Sequence, residues 1–395
     1  MKILHIATTD GGGAGGAALR THINLLDAGI SSSFLVLRKV RKNVRNVYEY
    51  EFNPYITFLK NKALEFKRKR YREQLKSVTY GRFSFPETSY DKLHEHELVQ
   101  SCDIVVLHWV ADFLDFPSFF RHIQKPVVWR MPDMFPFSGG YHYERFFPKD
   151  ALMQLLKKNL DIKKSAMGKC KIFPVPLCEW MCKKSMESEV LGSFKHTIIP
   201  NGLNTDVFKP HDKVFSRKIF NLPLDKRVLL FVSESVSLER KGLRILIESL
   251  MRINHENIHL AILGNNLKLE YHEFSTSFLG YVEDERLLAL AYSAADRFII
   301  PSVEDNLPNT VIESLACGTP VVGFNIGGIP DMVLHKQNGH LAKEVNAESL
   351  AIAINESVIF SYDTNEIVED ARNRFDKKVQ AEKYISLFHE ITVEQ

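Results

Sequence analysis

The chain has 395 residues, enough for two domains at roughly 150 residues each, with cores that need no disulfide or metal staple. Hydrophobic residues make up 45% and charged residues 25%, a balance that excludes collagen-like, coiled-coil and disordered classes. Lys and Arg number 51 against 48 Asp and Glu, and a net charge of +3 is too small to drive general nucleic-acid binding.

In chain order, residues 3–7 form an apolar run expected as a buried strand. It is followed by Asp10-Gly-Gly-Gly-Ala-Gly-Gly16, a helical pattern over 17–26 and a second strand over 33–37. The first run is too brief for a signal-peptide core, and no segment approaches the roughly 18 apolar residues of a membrane span. A cytoplasmic protein, at most peripheral on the inner face of the membrane, is therefore expected. Cys102, Cys170, Cys178, Cys182 and Cys317 lie scattered without metal or disulfide spacing and read as reduced thiols.

Strand, glycine loop, helix, strand is an arrangement in which amides at a helix start can receive a phosphate. Gly11, Gly13 and Gly16 satisfy GxGxxG, and Gly12, Gly13 and Gly16 are expected to lie next to a bound phosphate or sugar; a purely structural turn is the alternative. The acidic residue usual at the end of the second strand is replaced by Arg38-Lys39, which keeps an NADP-dependent oxidoreductase open.

Residues 60–76 carry Lys60, Lys62, Lys67, Arg68, Lys69, Arg70, Arg72 and Lys76 among apolar side chains. The segment suits an anionic membrane surface, reached mainly through electrostatics because Leu64, Phe66 and Tyr71 share no clean stripe; a solvated basic helix is the alternative.

Further strands are expected at 104–107, 127–129, 172–175 and 196–199, where Pro200-Asn-Gly202 marks a turn and a domain boundary just after it. The α/β pattern then restarts, with strands at 228–232, 258–263, 277–279, 297–300 and 320–324. Helices are expected at 241–251, 283–293 and 310–317, and a long amphipathic one at 366–388. The predicted organisation is α/β: a Rossmann-like domain over 1–205, a second over 206–370, and a final helix over 371–395.

Chemistry concentrates in residues 301–328. A strand ends in a loop with Glu304 and Asp305, then Asn309 is placed to cap a helix whose first turn carries Glu313. Asp305 and Glu313 can accept hydrogen bonds from sugar hydroxyls while nearby amides face a phosphate; the alternative is that both acids only offset the helix dipole. Arg240 and Lys241 precede a helix after a strand and can neutralise charge growing on a departing nucleoside diphosphate, against the alternative of a solvated surface pair. No two aspartates stand two apart, so a DxD metal motif is missing and a metal-independent mechanism is expected.

The chain resembles, nearly end to end, the retaining nucleotide-sugar glycosyltransferases of the GT-B fold, specifically glycosyltransferase family 4. In that family an E-x7-E motif holds donor sugar and ribose; Asp305 replaces its first Glu and Glu313 matches the second. His108-Trp109, Pro200-Asn-Gly-Leu-Asn-Thr-Asp-Val-Phe-Lys-Pro210 and Arg240-Lys-Gly242 are further landmarks. The segment Asp133-Met-Phe-Pro-Phe-Ser-Gly-Gly-Tyr-His-Tyr143 is similar to that of bacterial exopolysaccharide and colanic-acid-type enzymes.

The resemblance implies two Rossmann-like domains facing across a cleft, acceptor on the first and nucleotide-sugar on the second, with the last helix crossing back. It implies transfer of a hexosyl group, with retention, from a UDP- or GDP-linked donor to a glycan such as a lipid-linked surface-polysaccharide precursor, with no cofactor. Asp305, Glu313, Arg240, Lys241, Asp133 and His142 are the expected catalytic residues, while Asn306, Leu307, Asn309, Gly280 and Val282 join the glycines in holding the donor. Two positions depart from the family pattern: Pro132, where a His commonly precedes the Asp, and Ser235, where many relatives carry Arg. These keep open a catalytically degenerate, binding-only subunit.

Overall fold

The structure is a computed structural model that describes residues 1–76, 78, 82–235, 238–265 and 274–393. The chain divides into two compact units, Met1–Pro200 with Gln380–Gln395, and Asn201–Val379. The division thus falls after Pro200 rather than at 205, and again at Val379 rather than 370.

Unit 1 runs β1 (Lys2–Thr9), α1 (Gly12–Asp27), β2 (Ser31–Arg38), β3 (Val47–Glu49), α2 (Pro54–Arg68), α3 (Arg72–Leu75), α4 (Glu97–Ser101), β4 (Ile104–Leu107), α5 (Phe116–His122), β5 (Val127–Met131), α6 (Met153–Met167), β6 (Ile172–Pro176) and α7 (Glu179–Met186). Its described strands form a six-stranded, all-parallel sheet in the order β3-β2-β1-β4-β5-β6. The central strands are apolar along their length because helices cover both faces, so every residue of β4 and β5 is buried.

Unit 2 runs α8 (Lys213–Ile219), β7 (Arg227–Ser235), α9 (Leu243–Leu250), β8 (Ile258–Asn265), β9 (Ser275–Gly280), α10 (Glu285–Ala294), β10 (Arg297–Ile300), α11 (Asn309–Ala316), β11 (Val321–Phe324), β12 (Gly339–Ala342), α12 (Ala347–Ile359) and α13 (Thr364–Phe375). Its described strands form a second parallel sheet, ordered β12-β11-β10-β7-β8-β9. Leu246, Leu250, Leu260, Ile299, Val322 and Leu350 are among the side chains closing its core.

Helix α14 (Lys377–Val393) follows, and from Gln380 onward it belongs to unit 1, where Tyr384, Leu387, Phe388 and Ile391 pack with Ile3, Ile104 and Val175.

Three predicted elements differ. Residues 196–199 are no strand: Thr197 and Ile199 donate to Pro174 and Pro176 carbonyls at 3.1 Å, so the segment follows β6 through alternate amides only and stops at Pro200. The helix predicted over 366–388 is two helices, broken at Asp376, whose backbone is extended and whose carboxylate accepts from the Lys378 amide. The glycine tract is no loop from Gly12 onward but the first turn of α1, with Gly11 in the capping position.

In both sheets the connection order reverses between two adjacent central strands, β1 and β4 in unit 1 and β7 and β10 in unit 2. Beyond the carboxyl ends of such strands the loops diverge to opposite faces and leave a crevice where ligands of open α/β sheets bind.

Candidate functional site

At the β7/β10 reversal of unit 2, the loop after β10 brings Ser302, Glu304, Asp305 and Asn306 into buried positions. Two glycines hold that loop in place. Gly242, at φ +72°, lies where an added Cβ would sit 1.9 Å from the Pro301 carbonyl oxygen, and Gly327, at φ +56°, where one would sit 2.0 Å from that of Asp305. Side chains strongly resist this conformation and cannot occupy this space, which accounts physically for Gly242 and Gly327.

Asp305 is the centre of the cluster. Lys241 Nζ donates to its Oδ2 at 2.7 Å, Ser302 Oγ donates to the same oxygen at 3.1 Å, and Arg240 Nη1 lies 3.3 Å from Oδ1. Arg240 also donates to the Glu304 carbonyl at 2.6 Å, while its own carbonyl accepts from the Val303 amide. Burial alone would raise the Asp305 pKa, but the charges of Lys241 and Arg240 outweigh it and draw it down to about 2. The Asp305 carboxylate thus lies between two cations, on the same buried loop as Glu304.

The spent oxygens alter the expected reading of Asp305. Its carboxylate is engaged by both cations and by Ser302 in this structure. Glu313 lies one turn inside α11, buried, with Tyr292 Oη donating to its Oε2 at 3.0 Å. Asn309 does not cap α11: Pro308 occupies the capping position, and the Asn309 side chain instead accepts from Asn201 Nδ2 at 2.8 Å. Asn201 also reaches the Leu307 carbonyl at 3.4 Å, so the Pro-Asn-Gly turn fixes the approach to the helix. Gly280 ends the edge strand β9 at φ +72°, and half-buried Val282 follows it toward α10, so both stand apart from the central loop in the sheet order. Residues 236 and 237, between Ser235 and the turn bearing Arg240, lie outside the described residues.

Unit 1 assembles a second cluster beyond β4 and β5. His142 Nδ1 donates to Asp133 Oδ2 at 2.5 Å, the Trp109 indole donates to the same oxygen at 2.9 Å, and the Phe135 amide donates to Oδ1 at 2.9 Å. His142 Nε2 forms a hydrogen bond with Ser84 Oγ at 3.2 Å. Helix α6 secures this segment from below: Lys163 Nζ donates to the Phe135 carbonyl and, at 2.9 Å, to that of Ser138, and Asn159 donates to that of Gly139 at 2.7 Å. Both ring nitrogens of His142 are occupied and both members of the pair are buried. The motif therefore builds a rigid polar wall.

His108 turns away from that wall. It is buried and its Nε2 lies 2.7 Å from Nδ1 of His5 on β1; burial first, then a nearby ring (His22 for His5, His5 for His108) and Arg130, hold both histidines well below their usual pKa. One neutral ring donates to the other. In the first turn of α1, Gly13 has open space around it and Gly16 faces Arg41, while the buried Asp10 carboxylate accepts the Val40 and Arg41 amides at 2.7 and 3.1 Å. Asn201, Ser302, Tyr292 and Ser84 were not singled out as partners in the sequence, although Asn201 and Ser302 lay in noted motifs.

Residues 226–358, which contain the Arg240–Lys241–Asp305 cluster and Glu313, match the family model described as Glycosyl transferases group 1. An uncharacterized glycosyltransferase of Methanocaldococcus jannaschii is 30% identical over 187 residues, 42% of this chain and 47% of that protein. The chain thus spans less than half the length of the curated relatives it matches. Sucrose-phosphate synthase from Thermosynechococcus elongatus superposes with a TM-score of 0.73 at 16% identity, each chain covered in full. HepE of Anabaena, solved with UDP and glucose, superposes with a TM-score of 0.67 at 16% identity over 98% of this chain and 99% of its own. The fold is GT-B. The stretch that matches the group 1 glycosyl transferase model lies within unit 2, and the likeness of fold to both solved structures extends over unit 1 as well.

Proposed function

We propose that the protein is a glycosyltransferase that moves a hexosyl group from a UDP- or GDP-linked sugar to a glycan acceptor, with retention at the anomeric carbon. The observation that carries this reading is the pair Arg240 and Lys241, clamped by Asp305 at the strand reversal of the region that matches group 1 glycosyl transferases. Two cations, and a start of α11 that no side chain caps, are suited to a diphosphate. As the bond between the anomeric carbon and the phosphate oxygen breaks, negative charge grows on that oxygen, and Arg240 and Lys241 meet it without a metal ion. The acceptor hydroxyl attacks from the same face, its oxygen bonds the anomeric carbon, and its proton passes to the departing phosphate. Glu313 would hold hydroxyls of donor sugar or ribose, Asn306, Leu307 and Asn309 would line the donor, and Gly280 and Val282 would border the base.

Unit 1 would present the acceptor, with Asp133 and His142 shaping its wall and the glycines of α1 beside it. A precursor of surface polysaccharide carried on a lipid fits this reading, and the reaction would then run on the cytoplasmic face of the membrane. No helix among the described residues is long and apolar enough to cross a bilayer.

A melting screen against UDP, GDP and their sugar conjugates tests the donor, since a ligand at 100 times its dissociation constant adds about 2.7 kcal/mol of apparent stability. Stabilisation by one nucleotide-sugar together with turnover in a chelator supports the proposal. Stabilisation without turnover on any glycan acceptor would make the chain a binding subunit, and stabilisation by NADP alone would overturn the reading.

A further inference from the structure

Helix α2 is packed on one side only. Asn53 caps it by accepting the Tyr55 and Ile56 amides at 3.0 and 3.1 Å, and Pro54 opens its first turn. Thr57 is its one buried residue; from there the inward line continues through Leu64 and Arg68 to buried Tyr71 in the turn that follows. Lys60 is tied down by Asp91 at 2.5 Å, and the Arg68 guanidinium sits 4.0 Å over the Phe85 ring. Leu64, Tyr71, Lys60 and Arg68 therefore serve the packed face, contrary to the expectation that Leu64 and Tyr71 might join a membrane contact.

Opposite Thr57, at 100° per residue, come Tyr55, Leu59 and Phe66, flanked by Phe58 and Ile56. Tyr55 is 71% exposed and Phe66 79%, and Phe58, Leu59 and Ile56 are exposed as well. This is an apolar outer side along a helix of roughly 22 Å, interrupted between Leu59 and Phe66 by exposed Lys62, whose Nζ lies 5.7 Å over the Phe58 ring. Exposed cations accompany it: Lys62, Lys67, Lys69, Arg70 and Arg72, of which Lys62 alone has an ion-pair partner among the described residues, Glu65. A second copy of the chain fits this face poorly, because pairing two such sides would bring two sets of cations together. An anionic surface with an apolar layer beneath it matches both features.

We propose that the outer face of α2 docks in the interfacial plane of an anionic bilayer, with Tyr55, Phe58, Leu59 and Phe66 among the upper acyl carbons and the bordering cations on lipid phosphates. Apolar insertion adds to charge here, so salt weakens the contact without abolishing it. The proposal rests on the surface of unit 1 alone and stands apart from the transfer reaction.

Co-sedimentation of the full chain with vesicles of phosphatidylcholine, with and without phosphatidylglycerol, provides the test. Binding to the anionic vesicles at low salt is expected, with a measurable part retained at high salt. Tyr55→Ser, Leu59→Ser and Phe66→Ser together should lower partitioning about 100-fold, and Lys67→Ser, Lys69→Ser and Arg70→Ser together about tenfold at low salt. Both variants should keep the wild-type melting temperature and its response to nucleotide, which separates failure of this proposal from failure of the donor reading. In Phe66→Trp, fluorescence should shift to the blue on anionic vesicles. Equal binding to neutral and anionic lipid, no binding, an unaffected apolar variant, or a dimer in solution that the apolar variant dissolves would overturn it.

Discussion

Asp133 in unit 1 and Asp305 in unit 2 are both buried, and each follows a strand of a six-stranded parallel sheet, yet their surroundings differ in kind. Asp133 is met by an imidazole, an indole and a backbone amide. Asp305 is met by an ammonium, a guanidinium and a hydroxyl. The first cluster closes on ring and amide N–H groups, whereas the second sets two cations against one carboxylate. A buried carboxylate thus takes its role from its neighbours.

The largest expected effect separates the two clusters by chemistry. Arg240→Ala and Lys241→Ala should each raise the barrier to transfer by about 2–4 kcal/mol, the scale for removing a donor at a developing negative charge. Steady-state kinetics with a nucleotide-sugar would measure it, and near-normal turnover in both variants would leave the cluster a structural ion pair. Next come Gly242→Ala and Gly327→Ala, where a Cβ would meet a carbonyl oxygen at 1.9 and 2.0 Å in a left-handed backbone. A loss of about 2 kcal/mol or more in stability is expected, with weakened nucleotide binding. Unchanged melting would show that the loop after β10 yields easily.

On the unit 1 side, Asp133→Asn and His142→Gln should each cost about 1–3 kcal/mol of stability by leaving buried partners unmatched, while nucleotide binding stays intact. Complete loss of transfer in His142→Gln with donor binding intact would instead make His142 an essential base.

The smallest effect is one of pH. His5 and His108 are held neutral in the fold, below their usual value of 6.5, so the unfolded chain binds protons first on acidification. Stability should be full above about pH 6.5 and decline below it by at most about 1.4 kcal/mol per pH unit for each ring. Asp305, drawn from its ordinary 3.8 to about 2, contributes stability that is present above 3.8 and lost only as pH falls toward 2. Melting followed between pH 7 and pH 5, in the wild type and in a His5→Leu, His108→Leu double variant, should show a shallower slope in the variant, the remainder coming from histidines such as His22 and His259 that burial also holds below their usual value. A slope of equal size in both would place the acid-sensitive groups elsewhere.

The central strands, the two-unit arrangement and the loop after β10 were legible because each rests on local regularities: apolar runs between helical periods, and glycines where the backbone leaves no room for a Cβ. Residues 366–388 misled because their apolar period continues through Asp376, while the break is made by contacts that Asp376 forms with Leu203 and Thr205 far away in the chain. The outer side of α2 was not legible because apolar residues stand all round the segment, and only packing decides that Leu64 and Tyr71 turn inward while Tyr55, Leu59 and Phe66 stay exposed.

The sequence by itself determined the residue types that could carry the chemistry and the strands that deliver them, since burial on both faces of a parallel sheet and the need for φ above zero are written locally in side-chain size and polarity. Tertiary structure alone decided which partner each polar group spends itself on. Asp305 went to Arg240 and Lys241, Asn309 to Asn201, His108 to His5, because strands distant in sequence lie side by side in the sheet, and a buried charge or hydrogen-bonding group must be satisfied by whatever that packing brings within reach.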